Sequence, residues 1–69
     1  MSELLIDRLK KSIGWTCKIF LKNGFRYEGK ILGADETYLE ILEPRGIKII
    51  LVEEIKDCDI YKIQGEVGE

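Results

Sequence analysis

The spacing of apolar residues near the start of the chain is helical. Leu5, Leu9 and Ile13 recur at intervals of four, which places them on one side of a helix. Ser2 can cap the first turn of that helix, which the pattern predicts over 3–12. We therefore expect the chain to begin with one short amphipathic helix.

The period changes to two after this helix. Cys17, Ile19 and Leu21 alternate with polar or outward positions, among which are Thr16 and Phe20. Alternation of this kind is typical of a strand that is buried on one face. Phe20 is then a large aromatic side chain that the pattern directs away from the core.

A hairpin turn follows the first strand. Asn23 and Gly24 both tolerate positive φ, so they predict a two-residue turn after which Phe25 begins the returning strand. Gly29 and Gly33 lie inside that second strand, where a missing side chain permits a sharp bend or a close backbone approach. Strands that bend in this way are typical of small barrels.

Three further strands are predicted. The third covers about 37–43 and ends at the turn 44–46, and the fourth covers 47–52. A short polar turn at 53–54 leads to a fifth strand over 57–63. The fourth strand is apolar on both faces. In a monomer, the edge of such a strand would leave backbone groups unpaired, so we expect a neighbouring copy to cover it.

The size of the chain limits it to one domain. Sixty-nine residues bury little surface, so we expect 1–63 to form a single domain that gains stability by self-association, followed by a flexible tail over 64–69. Two cysteines and no histidine argue against a disulfide framework or a common zinc site. Cys17 and Cys58 are expected to be reduced core residues, and a bridge between them is the alternative.

Charge is distributed unevenly along the chain. Residues 1–30 hold seven Lys/Arg against three Asp/Glu, a net charge of +4, whereas 31–69 hold four against ten, a net charge of −6. One surface could therefore attract phosphate, or both could be ordinary solvated faces. No apolar run approaches the roughly 20 residues of a membrane span, and the N-terminus lacks the plan of a signal peptide, so we expect a cytoplasmic protein with no membrane partner.

The segment FLKNGFRYEGKILGAD resembles the first sequence motif of the Sm-like proteins, which include the Sm and LSm proteins and the bacterial RNA chaperone Hfq. The shared features are the Asn-Gly turn at 23–24, the glycine at the bend, Gly29, and the aspartate after the second strand, Asp35. The resemblance covers nearly the whole chain. It implies a mostly β fold, in which a short N-terminal helix precedes a strongly bent, five-stranded, SH3-like small barrel.

The resemblance also implies a homo-oligomeric ring. Members of this family pair the fourth strand of one subunit with the fifth strand of the next, and six or seven subunits close the ring. Such pairing would account for a fourth strand, 47–52, that is apolar on both faces. The expected interface consists of apolar and aromatic side chains of the last two strands, namely Ile47, Ile49, Ile50, Leu51, Val52, Ile60 and Tyr61.

The hairpin is the first candidate for RNA contact. In the Hfq branch, the position that matches Phe20 carries an aromatic ring that stacks on bases, and a basic residue matches Arg26. With Lys22 in the same hairpin, the resemblance implies a surface that binds single-stranded RNA by stacking and by charge. The alternative is that Phe20 covers a subunit contact or its own partner strand.

The second RNA pocket of the family is poorly matched. Members that bind uridine there use a stacking residue and an Asn after the Asp, whereas this chain has Thr37 and Leu39. The acidic pair at 53–54 replaces a basic element and would repel phosphate. Asp35 is expected to cap its loop by accepting backbone hydrogen bonds. Tyr38 either replaces the lost stacking group or belongs to the core or an interface.

Two functions follow from these expectations. The first is an Sm-like ring that binds single-stranded RNA by backbone charge and base stacking, with no cofactor, metal or small-molecule substrate. The alternative is a ring that serves as a scaffold for proteins and has lost RNA binding. An enzyme is disfavoured because the sequence has no histidine, no Gly-rich phosphate loop, no nucleophile elbow and no metal-ligand cluster.

Overall fold

The computed structural model describes residues 3–62, in which one helix precedes five antiparallel strands. The elements are α1 (Glu3–Lys11), β1 (Thr16–Leu21), β2 (Arg26–Ala34), β3 (Tyr38–Glu43), β4 (Gly46–Leu51) and β5 (Ile55–Tyr61), with a single 3₁₀ turn at Val52–Glu54. The prediction of a mostly β chain with an N-terminal helix is confirmed. The predicted tail over 64–69 lies outside the described residues.

Helix α1 packs one apolar side chain deeply into the core. Leu9 is fully buried there, whereas Ile13 is 52% exposed. The sequence pattern placed both on the buried side, but the helix ends at Lys11, so Ile13 no longer follows the helical period. Gly14 has a φ of +96° and its N–H donates to the carbonyl of Ile31, which fixes the exit of the helix against β2.

The five strands form one open sheet in the order β4-β3-β2-β1-β5. Neighbouring strands are antiparallel throughout. Within residues 3–62, β4 pairs only with β3 and β5 pairs only with β1, so the last two strands of the chain are the two edges of the sheet. The 3₁₀ turn between them carries the chain from one edge to the other.

One face of the sheet holds the core, together with α1. Its buried side chains are Leu9, Cys17, Ile19, Ile31, Leu39, Ile41, Ile50, Val52 and Ile55. Ile50 and Val52 were predicted to lie in a subunit interface, but they are only 4% and 2% exposed within the chain itself. Their side chains fill the core of the chain itself, whereas Ile47, Ile49 and Leu51 of β4 are exposed.

Strand β2 needs glycine where it crosses β3 most closely. A Cβ atom at Gly29 would lie 2.5 Å from the carbonyl oxygen of Leu42, a distance that no side chain can occupy. The register between β2 and β3 then shifts between Ile31 and Gly33. A close approach followed by a bulge is how a long strand bends around a small core, as the two glycines predicted.

The hairpin between β1 and β2 differs from the predicted two-residue turn. The N–H of Gly24 donates to the carbonyl of Leu21 at 3.0 Å, which makes Lys22 and Asn23 the central residues of the turn. Gly24 follows with a φ of +95°, and the N–H of Leu21 donates to the carbonyl of Phe25. The loop therefore has three residues, a type I turn plus one left-handed glycine.

The start of β5 is also earlier than predicted. The strand begins at Ile55 instead of residue 57, because the 3₁₀ turn is short and Ile55 is already buried in the core. The N–H of Lys22 donates to the carbonyl of Glu54 at 2.9 Å, so the first hairpin is tied to the turn that precedes β5.

Candidate nucleic-acid interface

The residues predicted to bind RNA fall into two groups at opposite ends of β2. Phe20, Lys22 and Arg26 surround the first hairpin, and Asp35, Thr37 and Tyr38 surround the connection from β2 to β3. Strand β2 has nine residues, which would span about 26 Å if it were straight. The two groups are therefore separate surfaces on one subunit.

Phe20 lies at the centre of a row of three side chains. It is directly opposite Arg26 on β2 and directly opposite Asp57 on β5, and directly opposed residues share a face of a sheet. Ile19 points into the core, so this row lies on the face turned away from the core, here called the outer face. Phe20 is half-buried, whereas Arg26 and Asp57 are exposed, so the outward direction predicted for Phe20 is correct.

A second row on the outer face has mixed charge. Lys18 is directly opposite Glu28 on β2 and Asp59 on β5 in the strand register. Glu28 also accepts a hydrogen bond from the hydroxyl of Tyr61. Lys22 and Arg26 have no carboxylate directly opposite them in the strand register, so they are the cations best placed to attract phosphate at this hairpin.

Phe25 is an aromatic side chain of the hairpin that sequence analysis did not select. It is 61% exposed, the most exposed aromatic residue in the described part of the chain. The sequence pattern assigned Phe25 to the start of the returning strand; in the structure it follows the loop 22–24, its N–H donates to Asn23 Oδ1, and β2 begins at the next residue. The signal that could have identified Phe25 is its position directly after Gly24, a turn glycine with positive φ.

Asp35 caps the loop between β2 and β3, as predicted. One of its carboxylate oxygens accepts hydrogen bonds from the backbone N–H groups of Tyr38 and Thr37, each at 2.8 Å. These two bonds, with a smaller effect of the nearby Lys10 ammonium, hold the pKa of the Asp35 carboxyl below its ordinary value. The exposed Thr37 also accepts a bond through its carbonyl from the N–H of Val52.

Tyr38 belongs to an exposed apolar surface, and together with Asp35 and Ile49 it also lines a cavity at the end of β2. It is 49% exposed, so the core role considered for it is wrong. It lies opposite Leu51 on the outer face, next to two further rows formed by β3 and β4. We call the exposed apolar side chains of these rows the apolar strip: Tyr38, Leu42, Ile47, Ile49 and Leu51.

The residues predicted to form a subunit interface lie on the two opposite edges of the sheet. Ile47, Ile49 and Leu51 are on β4 and within the apolar strip, with exposures of 59%, 59% and 40%. Ile60 and Tyr61 are half-buried on β5. Three strands lie between these two sets in the order of the sheet, and within residues 3–62 β4 does not pair with β5.

The thiols are unreactive core groups. Cys17 and Cys58 are both free, and they lie diagonally to each other on β1 and β5. Burial is the main cause that raises the pKa of the Cys17 thiol to about 12 and that of the Cys58 thiol to about 11. Very little thiolate forms at neutral pH, so neither group is a good nucleophile or metal ligand.

Residues 3–62 contain no group of three or more His, Cys, Asp or Glu side chains that could hold a metal ion. Among the same residues, no helix has the length and apolar character needed to span a bilayer.

Known proteins add no assignment to this geometry. No protein-family model matches the chain, and no match was found among curated proteins. Its function must therefore be argued from the residues and the arrangement of the sheet.

Proposed function

We propose that this chain is a subunit of an Sm-like homo-oligomeric ring that binds single-stranded RNA on the hairpin between β1 and β2. The observation that carries the proposal is the order of the sheet, which leaves β4 at one edge and β5 at the other. Two different edges on one subunit are what a head-to-tail ring requires, because each copy offers β4 to one neighbour and β5 to the next.

The composition of the two edges supports their pairing in a ring. The exposed side chains of β4 are Ile47, Ile49 and Leu51, and an apolar edge strand of this kind invites another strand. Strand β5 carries charged residues along its exposed positions, including Lys56 and Asp59. Charged side chains on β5 disfavour pairing of β5 with another β5. Pairing of β4 with β5 avoids this contact, and it gives every copy in a ring the same two neighbours.

The bend of β2 supports the SH3-like barrel within each subunit. The carbonyl of Leu42 approaches Gly29 so closely that only glycine fits, and the adjacent register shift near Gly33 turns the strand further. A nine-residue strand that bends twice contributes to both halves of a small barrel.

The first hairpin supplies the means to bind RNA. Phe20 presents an aromatic surface directly opposite Arg26, and Lys22 lies in the adjoining turn, so two cationic residues lie close to this surface. Stacking of a base on an aromatic side chain contributes about 1–3 kcal/mol, and nearby cations attract the phosphate backbone. Binding of this kind depends on stacking and charge, and it needs no cofactor.

The assembly is tested by the native mass of the full chain. We expect six or seven copies of the 8.0 kDa subunit. A stable single copy at micromolar concentration would overturn the proposed ring.

RNA binding is tested by filter binding of oligo(A) and oligo(U) over a series of salt concentrations. We expect binding that weakens as salt rises, with a slope of about −0.7 for each phosphate contact. Absence of salt-sensitive binding to either oligonucleotide would contradict this part of the proposal while leaving the ring intact.

A protein scaffold without RNA is the second candidate, and one observation favours it. Carboxylates accompany the basic side chains of the hairpin: Asp57 beside Phe20, and Glu28 and Asp59 beside Lys18. Co-purification discriminates between the two functions. An RNA-binding ring should carry host nucleic acid and absorb strongly at 260 nm, whereas a scaffold should show the absorbance of protein alone.

A further inference from the structure

We propose that Asp57 makes the Phe20 surface select guanine among the bases of single-stranded RNA. The inference rests on the proposed function, because it requires that a base stacks on Phe20. It assigns to a carboxylate beside the aromatic ring a role in choosing which base binds.

The strand register places one acceptor group and one donor group on opposite sides of the aromatic ring. Asp57 and Arg26 are on the two strands that flank Phe20, and adjacent strands are about 4.8 Å apart. Both side chains are exposed, and within residues 3–62 neither makes a hydrogen bond or ion pair. A base that stacks on Phe20 therefore has a free carboxylate at one edge and a free guanidinium at the other.

The chemistry of a carboxylate distinguishes guanine from the other bases. Ionised Asp57 only accepts hydrogen bonds, and its two oxygens can accept two parallel bonds. Guanine presents adjacent donors, N1–H and the 2-amino group, at its Watson–Crick edge. Adenine and cytosine present one amino group beside an acceptor nitrogen, and uracil presents one N–H between two carbonyls. Only guanine satisfies both oxygens of the carboxylate.

The guanidinium on the other side suits the same base. Arg26 can donate two hydrogen bonds to O6 and N7 of guanine, which is the commonest base-specific contact of arginine. Adenine has an amino group in place of O6, which would face the donors of Arg26. Asp57 and Arg26 therefore favour the same base from two edges, and Phe20 provides the stacking surface common to all bases.

The test uses the full chain and uridine-rich hexanucleotides that differ at one central base. We expect the guanine-containing RNA to bind about tenfold more tightly than the adenine-containing RNA. Inosine lacks the 2-amino group and should fall between the two. Free GMP, which lacks the neighbouring phosphates, should compete only at much higher concentration than the hexanucleotide.

Substitution of Asp57 should change the preferred base. In Asp57→Asn the side chain has one acceptor and one donor, which match the amino group and ring nitrogen of adenine, so the preference should move from guanine toward adenine. Asp59→Asn is the matched control, since it removes the same charge two positions along the same face but lies opposite Lys18. This control should keep the preference for guanine.

The outcomes separate the failure of this inference from that of the proposed function. Binding of all hexanucleotides with equal affinity would overturn the guanine selection and leave RNA binding standing. An equal gain for every base in Asp57→Asn and in Asp59→Asn would show that the carboxylates act only by repulsion, and it too would overturn the inference. No binding to any hexanucleotide would overturn both, and unchanged native masses would show that the variants are folded.

Discussion

The hairpin of β1 and β2, here the first hairpin, and the hairpin of β3 and β4, here the second, differ in the chemistry of their outer faces. In the first hairpin, β1 and β2 present four charged side chains and one aromatic ring, namely Lys18, Phe20, Arg26, Glu28 and Lys30. In the second, β3 and β4 present the apolar strip, interrupted only by the carboxylate of Glu40. Both hairpins are antiparallel, and both bury their inner face in the same core.

The difference teaches which surface is complete in one subunit and which is not. The first hairpin can face water permanently, because its charges are solvated and partly compensate each other. The second exposes a contiguous apolar surface beside an unpaired strand edge, which marks a site of association in a small protein. Assembly and ligand binding are thus expected on different hairpins, and they can be disrupted separately.

The largest expected effect is on assembly. Ile49→Lys places a charge in the middle of the apolar strip, where residue 49 is 59% exposed in the subunit and is expected to be buried in the ring. Each contact should lose about 2 kcal/mol or more, so the native mass should fall toward that of one subunit.

Phe25→Lys is the matched control for Ile49→Lys. It introduces the same group at a residue of similar exposure, 61%, in the first hairpin. Its native mass should equal that of the unchanged chain. Dissociation of both variants would mean that the two hairpins are not functionally distinct.

The next largest effect is on the stability of the folded chain, from a substitution where β2 of the first hairpin approaches β3 of the second. Gly29→Ala forces a Cβ to within 2.5 Å of the Leu42 carbonyl oxygen, so it should lower the free energy of unfolding by about 1–3 kcal/mol. Gly33→Ala is the control, because its nearest atom would be 3.8 Å away, and it should be neutral or slightly stabilising. Urea unfolding of the two variants measures the difference, and equal midpoints would contradict the close approach.

A smaller effect is expected on RNA affinity. Phe20→Ala removes the stacking surface of the first hairpin and should weaken binding of single-stranded RNA about tenfold, with no change in native mass. Tyr38→Ala, which removes an aromatic ring from the apolar strip, should leave affinity per subunit unchanged. If Phe20→Ala dissociates the ring, Phe20 belongs to a subunit contact, the alternative that the sequence left open.

The smallest effect is a pH dependence at the loop between the hairpins. The hydrogen-bonded Asp35 carboxyl has a pKa below its ordinary value near 3.9, so the unfolded chain takes up this proton at a higher pH than the folded chain. Its stabilising contribution is present above about pH 4 and is lost as the pH falls through the folded pKa. Asp35→Asn should flatten the fall of the urea midpoint between pH 4 and pH 2, and an unchanged profile would contradict the capping role.

Local signals in the sequence predicted most of the fold. The period of the apolar residues located α1 and the five strands, and Gly29 predicted the bend, because these properties depend on neighbouring residues. The turn at 23–24 was right in place but wrong in type, since Asn-Gly fits both a two-residue and a three-residue loop. Alternation alone also could not show that Ile50 is buried by its own chain.

The candidate site was predicted less completely. Alternation indicated that Phe20 points outward, and the hairpin brought Arg26 beside it. The third member of that row, Asp57, comes from β5, which is distant in sequence from β1. Its position depends on the long-range pairing of the first and last strands, and no local pattern specifies that register.

The backbone bond from the Lys22 N–H to the Glu54 carbonyl has a further consequence. It fastens the tip of the first hairpin to the residue that precedes β5. In the proposed ring, pairing of β5 with a neighbouring copy would steady β5 and, through this bond, the tip of the hairpin as well. We therefore expect each hairpin to hold RNA more firmly in a closed circle than in an open arc of the same subunits.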